Sequence, residues 1–414
     1  MTTRLFKNAR IFTPVDAGAP AAGKDQGNLR ILEQGALVVE NGLIADLGET
    51  DAVRGRIDMG MLDEVVDCRG RTVIPGFVDP HTHLCFAALR EAEFDLRMAG
   101  TPYLDILKQG GGILSSVRAV RAASEDDLFE TSERHVLAAM RLGTTTLEIK
   151  SGYGLDTETE LRMLRVIDRM GRETPLDVVP TFLGAHAVPE EYRGRADAFV
   201  DLVVGEMIPA VRDQGIARYC DVFCEEGVFS IDQGRRILAA AREAGLGVKI
   251  HADEVHDLGG AGLAAAMGAA SADHLLAASD GNLLQMAEGG VTAVLLPATA
   301  YSLRKPYARA RHMIDAGLPV ALATDCNPGS SYTESMPFVI GLAVINMAMT
   351  PAEALTAATL NAAYAVGMAK TVGSLDSGKQ ADFLFLDGDS PTILAYHAGV
   401  SPVAAVFKRG ARVF

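Results

Sequence analysis

The hydrophobic rhythm of the chain changes twice. Leu5–Phe12 and Gly35–Leu47 crowd apolar and β-branched residues into short runs, with a turn signal at Glu40-Asn41-Gly42, which is the signature of strands and a hairpin. Asp16–Gly27, rich in Ala, Gly and Asp, predicts a surface loop. The far end has the same texture: Gly373–Asp389 and Val403–Phe414 are strand-like, with turns at Ser377-Gly378-Lys379 and Arg409-Gly410. Neither end is long enough to stand alone, so the two are expected to pair into one small sheet domain.

Between the ends, short apolar runs alternate with longer stretches of helical period. The predicted strands are Val73–His81, Thr144–Lys150, Val178–His186, Cys220–Cys224, Val248–His251, Ala272–His274, Ala293–Pro297 and Val320–Asp325. Helices are predicted over Asp126–Leu142, Thr157–Arg172, Ala196–Gln214, Ile231–Ala244, Gly259–Ala266 and Asp280–Glu288. Strands alternating with crossover helices predict an α/β chain with a (β/α)8 TIM barrel over residues 73–370, flanked by a composite domain of residues 1–72 and 371–414. Ala88–Ser124 is a long excursion after the first barrel strand, and its Gly110-Gly111-Gly112 run reads as a linker or a mobile active-site lid.

Composition narrows the function. A net charge of −15 argues against a nucleic-acid partner, which needs concentrated Lys and Arg. No apolar run is long enough for a membrane span, and Met1–Phe6 has no signal-peptide core. Five scattered cysteines make no disulfide framework, and Cys220 and Cys224 lack a second pair to complete a zinc cluster. A cytoplasmic location is expected.

The chemistry gathers at the strand ends, where barrels of this kind keep their catalytic groups. The first strand ends in His81-Thr82-His83, and residues i and i+2 of a strand share a face. Lys150, Ser151 and Tyr153 follow the second strand, His186 ends the third, and Glu225 and Glu226 follow the fourth. His251, Asp253 and Glu254 end the fifth, His274 the sixth, and Asp325, Asn327, Gly329 and Ser330 follow the eighth. Of nine histidines, six fall at or beside these ends. His81, His83, His251 and Asp325 make a donor set suited to a single Zn²⁺ or iron ion, which lowers the pKa of a bound water toward neutrality.

Pro75-Gly76-Phe77-Val78-Asp79-Pro80-His81-Thr82-His83 resembles the signature of the amidohydrolase superfamily. More narrowly, Glu148–Gly154 (E-I-K-S-G-Y-G), Thr181–His186 (T-F-L-G-A-H), His251–Glu254 (H-A-D-E) and Thr324–Ser330 (T-D-C-N-P-G-S) resemble the imidazolonepropionases of histidine degradation, over nearly the whole chain. The resemblance implies that the terminal domain is a β-sandwich. It implies hydrolysis of the ring amide C–N bond of 4-imidazolone-5-propanoate to N-formimidoyl-L-glutamate by a metal-activated water. It further implies one zinc or iron ion (Fe²⁺ or Fe³⁺) per chain, a small-molecule substrate and a homodimer. Glu254 is then expected to shuttle protons, with His274 assisting the water or the developing oxyanion. Arg90 is expected to grip the propanoate, and Tyr153, His186, Glu254, Asn327, Gly329 and Ser330 to contact substrate or product.

Lys150 tests this picture, because many amidohydrolases bridge two metals with a carboxylated lysine on the fourth barrel strand. Here Lys150 ends the second strand and the fourth has no lysine, so one metal is expected and Lys150 is read as a group that hydrogen-bonds or positions the Tyr153 loop. Glu225 is a lesser candidate ligand. A mononuclear deaminase of a cytosine- or guanine-like ring shares the same metal donors and is the leading rival. A non-catalytic barrel is disfavoured by the complete donor set.

Overall fold

The computed structural model describes residues 2–101, 105 and 111–414; Gly110, one of the three residues of the predicted lid signal, lies outside the described residues. The N-terminal segment forms β1 (Thr3–Pro14), β2 (Leu29–Glu40), β3 (Leu43–Glu49), β4 (Glu64–Asp67) and β5 (Thr72–Pro75). The C-terminal segment adds β14 (Phe383–Leu386), β15 (Val403–Lys408) and β16 (Ala411–Arg412). All eight join one sheet, ordered β16-β15-β14-β5-β1-β2-β3 with β4 beside β1. The span Gly35–Leu47 is a hairpin: Asn41 and Gly42 both take positive φ (52° and 85°), as a type I′ turn requires. Arg409-Gly410 turns the same way between β15 and β16 (φ 50° and 72°). The sheet curls strongly. Phe6 on β1 and Phe407 on β15 lie three strands apart along it, yet their ring centroids are 5.4 Å apart, where a flat sheet would hold them roughly 14 Å apart.

The second sheet contains β6 (Phe77–Asp79), β7 (Thr144–Lys150), β8 (Asp177–Ala185), β9 (Tyr219–Cys224), β10 (Gly247–Ala252), β11 (Ser271–His274), β12 (Thr292–Leu295) and β13 (Val320–Leu322). They pair in parallel, each with the next in chain order, with helices in the crossovers. This is the expected barrel. The seam between β13 and β6 closes just beyond the strand ends: the Asp325 N–H donates to the His81 carbonyl (3.1 Å) and the His83 N–H to that of Cys326 (2.9 Å). Below these bonds, Asp79 accepts from the Thr324 N–H and hydroxyl (3.1 and 2.5 Å).

Two expectations need correction. The run Val73–His81 is not one strand. Its first part is β5, paired with β1 and β14 in the terminal sheet, and only Phe77–Asp79 pairs with β7 in the barrel. The joint is Gly76, whose N–H donates to Asp382 of the terminal domain while the next N–H, of Phe77, donates to Gly143 beside the barrel (both 3.0 Å). A Cβ at Gly76 would sit 2.3 Å from the Thr145 hydroxyl, so no other residue fits without a shift. The segment Asp16–Gly27 is also more than a surface loop. Gln26 is fully buried, and its side-chain amide exchanges two hydrogen bonds with the Val320 backbone (both 3.1 Å), satisfying the edge of β13.

The predicted helices form as Glu125–Arg141, Thr157–Glu173, Ile231–Glu243, Gly260–Met267 and Asp280–Gly289, while Ala196–Gln214 is helical with a π-turn at Val203–Met207. Ser124, Asp156 and Ser230 cap three of them. The helix Leu360–Ala365 packs with Val78, Val179, Val294 and Ala321 in an apolar cluster of barrel-strand residues. Among the described residues no helix is long and apolar enough to cross a membrane.

Candidate metal centre and substrate pocket

Alternation along the barrel strands stacks polar side chains above that apolar cluster. Glu148 and Lys150 on β7, Asp221 on β9, Lys249 and His251 on β10 and Asp273 on β11 are all essentially buried. His81 and His83 follow β6 with the same period of two, and Asp325 lies just past β13. Three residues at strand ends, Asp253, His274 and Asp325, take positive φ (49°, 78° and 52°), a conformation that costs a non-glycine residue energy and turns the chain sharply at the rim.

The structure brings the four predicted donors together. His81 Nε2 lies 3.5 Å and His83 Nε2 3.6 Å from Asp325 Oδ1, and the Nε2 atoms of His83 and His251 are 3.3 Å apart. Donors at about 2.0–2.1 Å from a tetrahedral zinc stand about 3.3–3.4 Å from one another, and these three separations, of the six among four donors, match that spacing. His81 Nε2 is buried with no hydrogen-bond partner. The far sides of the rings are occupied: His81 Nδ1 faces Asp273 Oδ2 at 2.5 Å and His251 Nδ1 faces Asp221 Oδ2 at 3.0 Å, which aims both Nε2 lone pairs inward. The second Asp325 oxygen accepts from the Thr299 hydroxyl (2.5 Å), leaving Oδ1 to the centre.

At His81, His83 and Asp325 the charge balance agrees, while at His251 the effect of burial is outweighed by Asp221, which raises the imidazole. Burial and neighbouring positive groups hold His81 and His83 well below the usual imidazole range, so both are neutral ligands. Burial pushes the Asp325 carboxyl up, the penalty that a bound dication relieves. The residues present therefore fit a divalent metal.

The remaining predicted residues surround this centre. His274 completes a second donor group with His81 and His251, all within 4.8 Å, and its Nδ1 lies 3.8 Å from Glu254 Oε1. Burial pushes Glu254 up to about 7 and His274 down to about 3. His186 stacks on His83 with centroids 4.8 Å apart, and Tyr153 tilts against His186 at 5.4 Å. His186 Nδ1 is bonded to the Gly152 carbonyl (3.0 Å), which leaves Nε2 as an acceptor.

Arg90 is bound by Glu93 through Nε and Nη2 (3.1 and 2.8 Å), and its guanidinium lies flat against Gly329, where a Cβ would come within 2.4 Å of it. A cavity of about 660 Å³ adjoins this contact; none of the four donors lines it. Asn327 uses its side chain within its own turn: Oδ1 accepts from the Gly329 and Ser330 N–H groups (both 2.8 Å), and Nδ2 donates to the Asp325 carbonyl (2.7 Å). The Gly329 and Ser330 N–H groups are thus already bonded within the turn. Glu225 belongs to neither donor group; its carboxylate accepts from the Val255 N–H (2.9 Å) and from His256 Nδ1 (2.8 Å).

A model of the amidohydrolase family matches residues 72–413. An imidazolonepropionase of Desulfotalea psychrophila is 65% identical, with 100% of both chains covered. One of Syntrophobacter fumaroxidans is 64% identical over 99% of this chain and 96% of that one. The chain belongs to the amidohydrolase family, among the imidazolonepropionases. Solved structures share the fold: a guanine deaminase of E. coli (TM-score 0.75, 14% identity, 100% and 99% of the two chains covered) and an adenosine deaminase of Xanthomonas campestris with bound zinc (0.71, 20%, 99% and 92%). At such identities the likeness to deaminases concerns the barrel and its flanking sheet alone.

Sequence reasoning missed the residues behind the imidazolonepropionase-like site: Asp221, Asp273, Glu148 and Lys249. Their signal was present. Each directly follows an apolar residue within a predicted strand, and Lys249 and Glu148 precede a site residue by two.

Proposed function

We infer that this chain hydrolyses the ring amide C–N bond of 4-imidazolone-5-propanoate, yielding N-formimidoyl-L-glutamate in histidine breakdown. The observation that carries the reading is the convergence of His81, His83 and Asp325, with His251 3.3 Å from His83 and with His274 and Glu254 beside them, in a chain 65% identical to an imidazolonepropionase. One zinc or iron ion held by these four residues would supply Lewis-acid activation of water. Glu254, with its carboxyl near neutrality, takes a proton from the attacking water and returns it to the ring nitrogen as the C–N bond breaks. The ring carbonyl carbon gains the water oxygen and becomes the new carboxylate. His274, neutral and beside Glu254, donates to the developing oxyanion.

Substrate contacts follow from the surrounding groups. Arg90 anchors the propanoate, His186 Nε2 accepts from a ring N–H, and Tyr153 packs on the ring. Asn327 acts by shaping the Gly329–Ser330 turn against which Arg90 lies. We also propose a cytoplasmic homodimer, and a division into a terminal β-domain and a barrel with its joint at Gly76. Incubation with freshly made imidazolone propanoate, paired with elemental analysis, tests the reading. Turnover with about one metal ion per chain is expected. A metal-loaded protein that releases ammonia from a nucleobase and leaves this substrate intact would replace the reading with a deaminase.

A further inference from the structure

The lysine that looked like a metal bridge has different surroundings. Lys150 Nζ lies 2.8 Å from Asp221 Oδ2, 2.8 Å from Glu148 Oε1 and 3.8 Å from Asp273 Oδ2, and its side chain is fully buried. An ammonium among three carboxylates is favoured; a carboxylated lysine there would add a fourth negative charge. The same Asp221 oxygen faces His251 Nδ1, and the same Asp273 oxygen faces His81 Nδ1. We propose that Lys150 is a positioning residue of the metal centre, its ammonium group holding the two carboxylates, on β9 and β11, that orient two of the histidine ligands. The role rests on the metal reading given above.

Geometry explains why a cation sits here. Three carboxylates meet in an interior closed to solvent, and a carboxylate held by an ammonium keeps a fixed orientation toward the imidazole it faces. Asp221 Oδ2 stands 2.8 Å from Lys150 Nζ and 3.0 Å from His251 Nδ1. Lys249 makes a different set of contacts: its Nζ donates to the Pro80 carbonyl (2.6 Å) and lies 3.5 Å from Glu148. Lys150 reaches both aspartates across the barrel interior from β7, while β10, which carries His251, lies between β9 with Asp221 and β11 with Asp273. Lys150 thus reaches the metal only through other residues.

The alternative is that Lys150 merely neutralises buried charge for folding. The variant Lys150→Met/Glu148→Gln separates the two, since it removes one positive and one negative charge together. With the role proposed, this double variant folds, with a wild-type urea midpoint by circular dichroism, but binds Zn²⁺ about 10–100-fold more weakly in chelator competition. Wild-type affinity in the folded double variant overturns the proposal. If the double variant does not fold, Asp221→Asn, which leaves Lys150 paired with Glu148, is read the same way: a comparable loss supports the proposal and unchanged affinity refutes it. His251→Ala runs alongside. If it too binds Zn²⁺ as tightly as wild type, the metal centre itself is misassigned, a failure distinct from that of Lys150.

Discussion

The terminal sheet and the barrel each contain eight strands, and both alternate inward and outward residues, yet they bury opposite chemistry. Inside the terminal sheet, Phe6, Phe383, Phe385 and Phe407 pack together, with Phe383 and Phe407 stacked at 4.5 Å. Inside the upper barrel, Glu148, Lys150, Asp221, Lys249 and Asp273 pack together instead. The first interior is held by the removal of apolar surface from water. The second costs desolvation that ion pairs offset only in part, and such pairs are weak evidence for stability. The barrel keeps its charges because they aim ligands; its stability comes from the apolar cluster beneath and the helices outside. Substitutions in the two interiors should therefore fail in different assays.

The largest expected effect is catalytic. Glu254→Gln should retain the metal and the fold while lowering kcat by about 10²–10⁴-fold, the range lost with a general acid–base group. The same residue sets a pH limb. The base must be ionised, and burial raises its carboxyl to about 7, so turnover falls as the pH drops through that region. A bound dication favours the carboxylate and moves the limb to lower pH. A full kcat/KM profile checks the sign: the acid limb should be present in wild type and absent from the residual activity of Glu254→Gln.

The mirror experiment is Phe383→Ala. Phe383 is fully buried and touches the Phe6, Phe385 and Phe407 rings. Its loss should cost about 3–5 kcal/mol of stability, seen as a lower urea midpoint. Turnover per folded molecule should be unchanged, since the terminal sheet supplies none of the donors. A kcat that falls with the midpoint would show that the two interiors are coupled.

What the sequence revealed follows the same divide. Strand ends were legible because a histidine or carboxylate after an apolar run stands out: His81, His186, His251, His274 and Asp325 all lie at the rim. The break at Gly76 was not, because Thr72–Pro75 and Phe77–Asp79 are buried alike and read as one run. Asp221 and Asp273 were also passed over, since a charged residue within a strand usually faces solvent and only barrel closure turns these inward. The Asn327 turn was legible as a turn, but the direction of its amide depends on hydrogen bonds that the local sequence does not dictate.

Arg90→Ala should have a smaller effect, on the substrate side. The propanoate is present before and during reaction, so a lost anchor weakens ground and transition states alike and raises KM with kcat nearly unchanged. A charge-assisted bond contributes about 1.5–3 kcal/mol, or roughly 10–150-fold in KM. Glu93, already bonded to Arg90, competes with the substrate for the guanidinium and pulls the value toward the lower end. An analogue lacking the propanoate should barely distinguish the variant from wild type. Equal losses for both substrates would mean that Arg90 acts by supporting the Gly329 turn.

The smallest effect sharpens the contrast between buried and exposed charge. Arg236 and Asp201 pair at 2.7 Å between two outer helices, with side chains 50% and 67% exposed. That separation is slightly shorter than the 2.8 Å between Lys150 and Asp221, so distance alone would rank the two pairs together. Water screens the surface pair, and its long side chains lose rotamer freedom on pairing, so Arg236→Ala should shift stability by at most about 1 kcal/mol and leave turnover and metal content untouched. At high salt even that shift should vanish, whereas the buried cluster, beyond the reach of counterions, should respond little. A urea midpoint for Arg236→Ala that fell as far as that of Phe383→Ala would mean that the outer helices, and not the apolar interiors, carry the stability of this barrel.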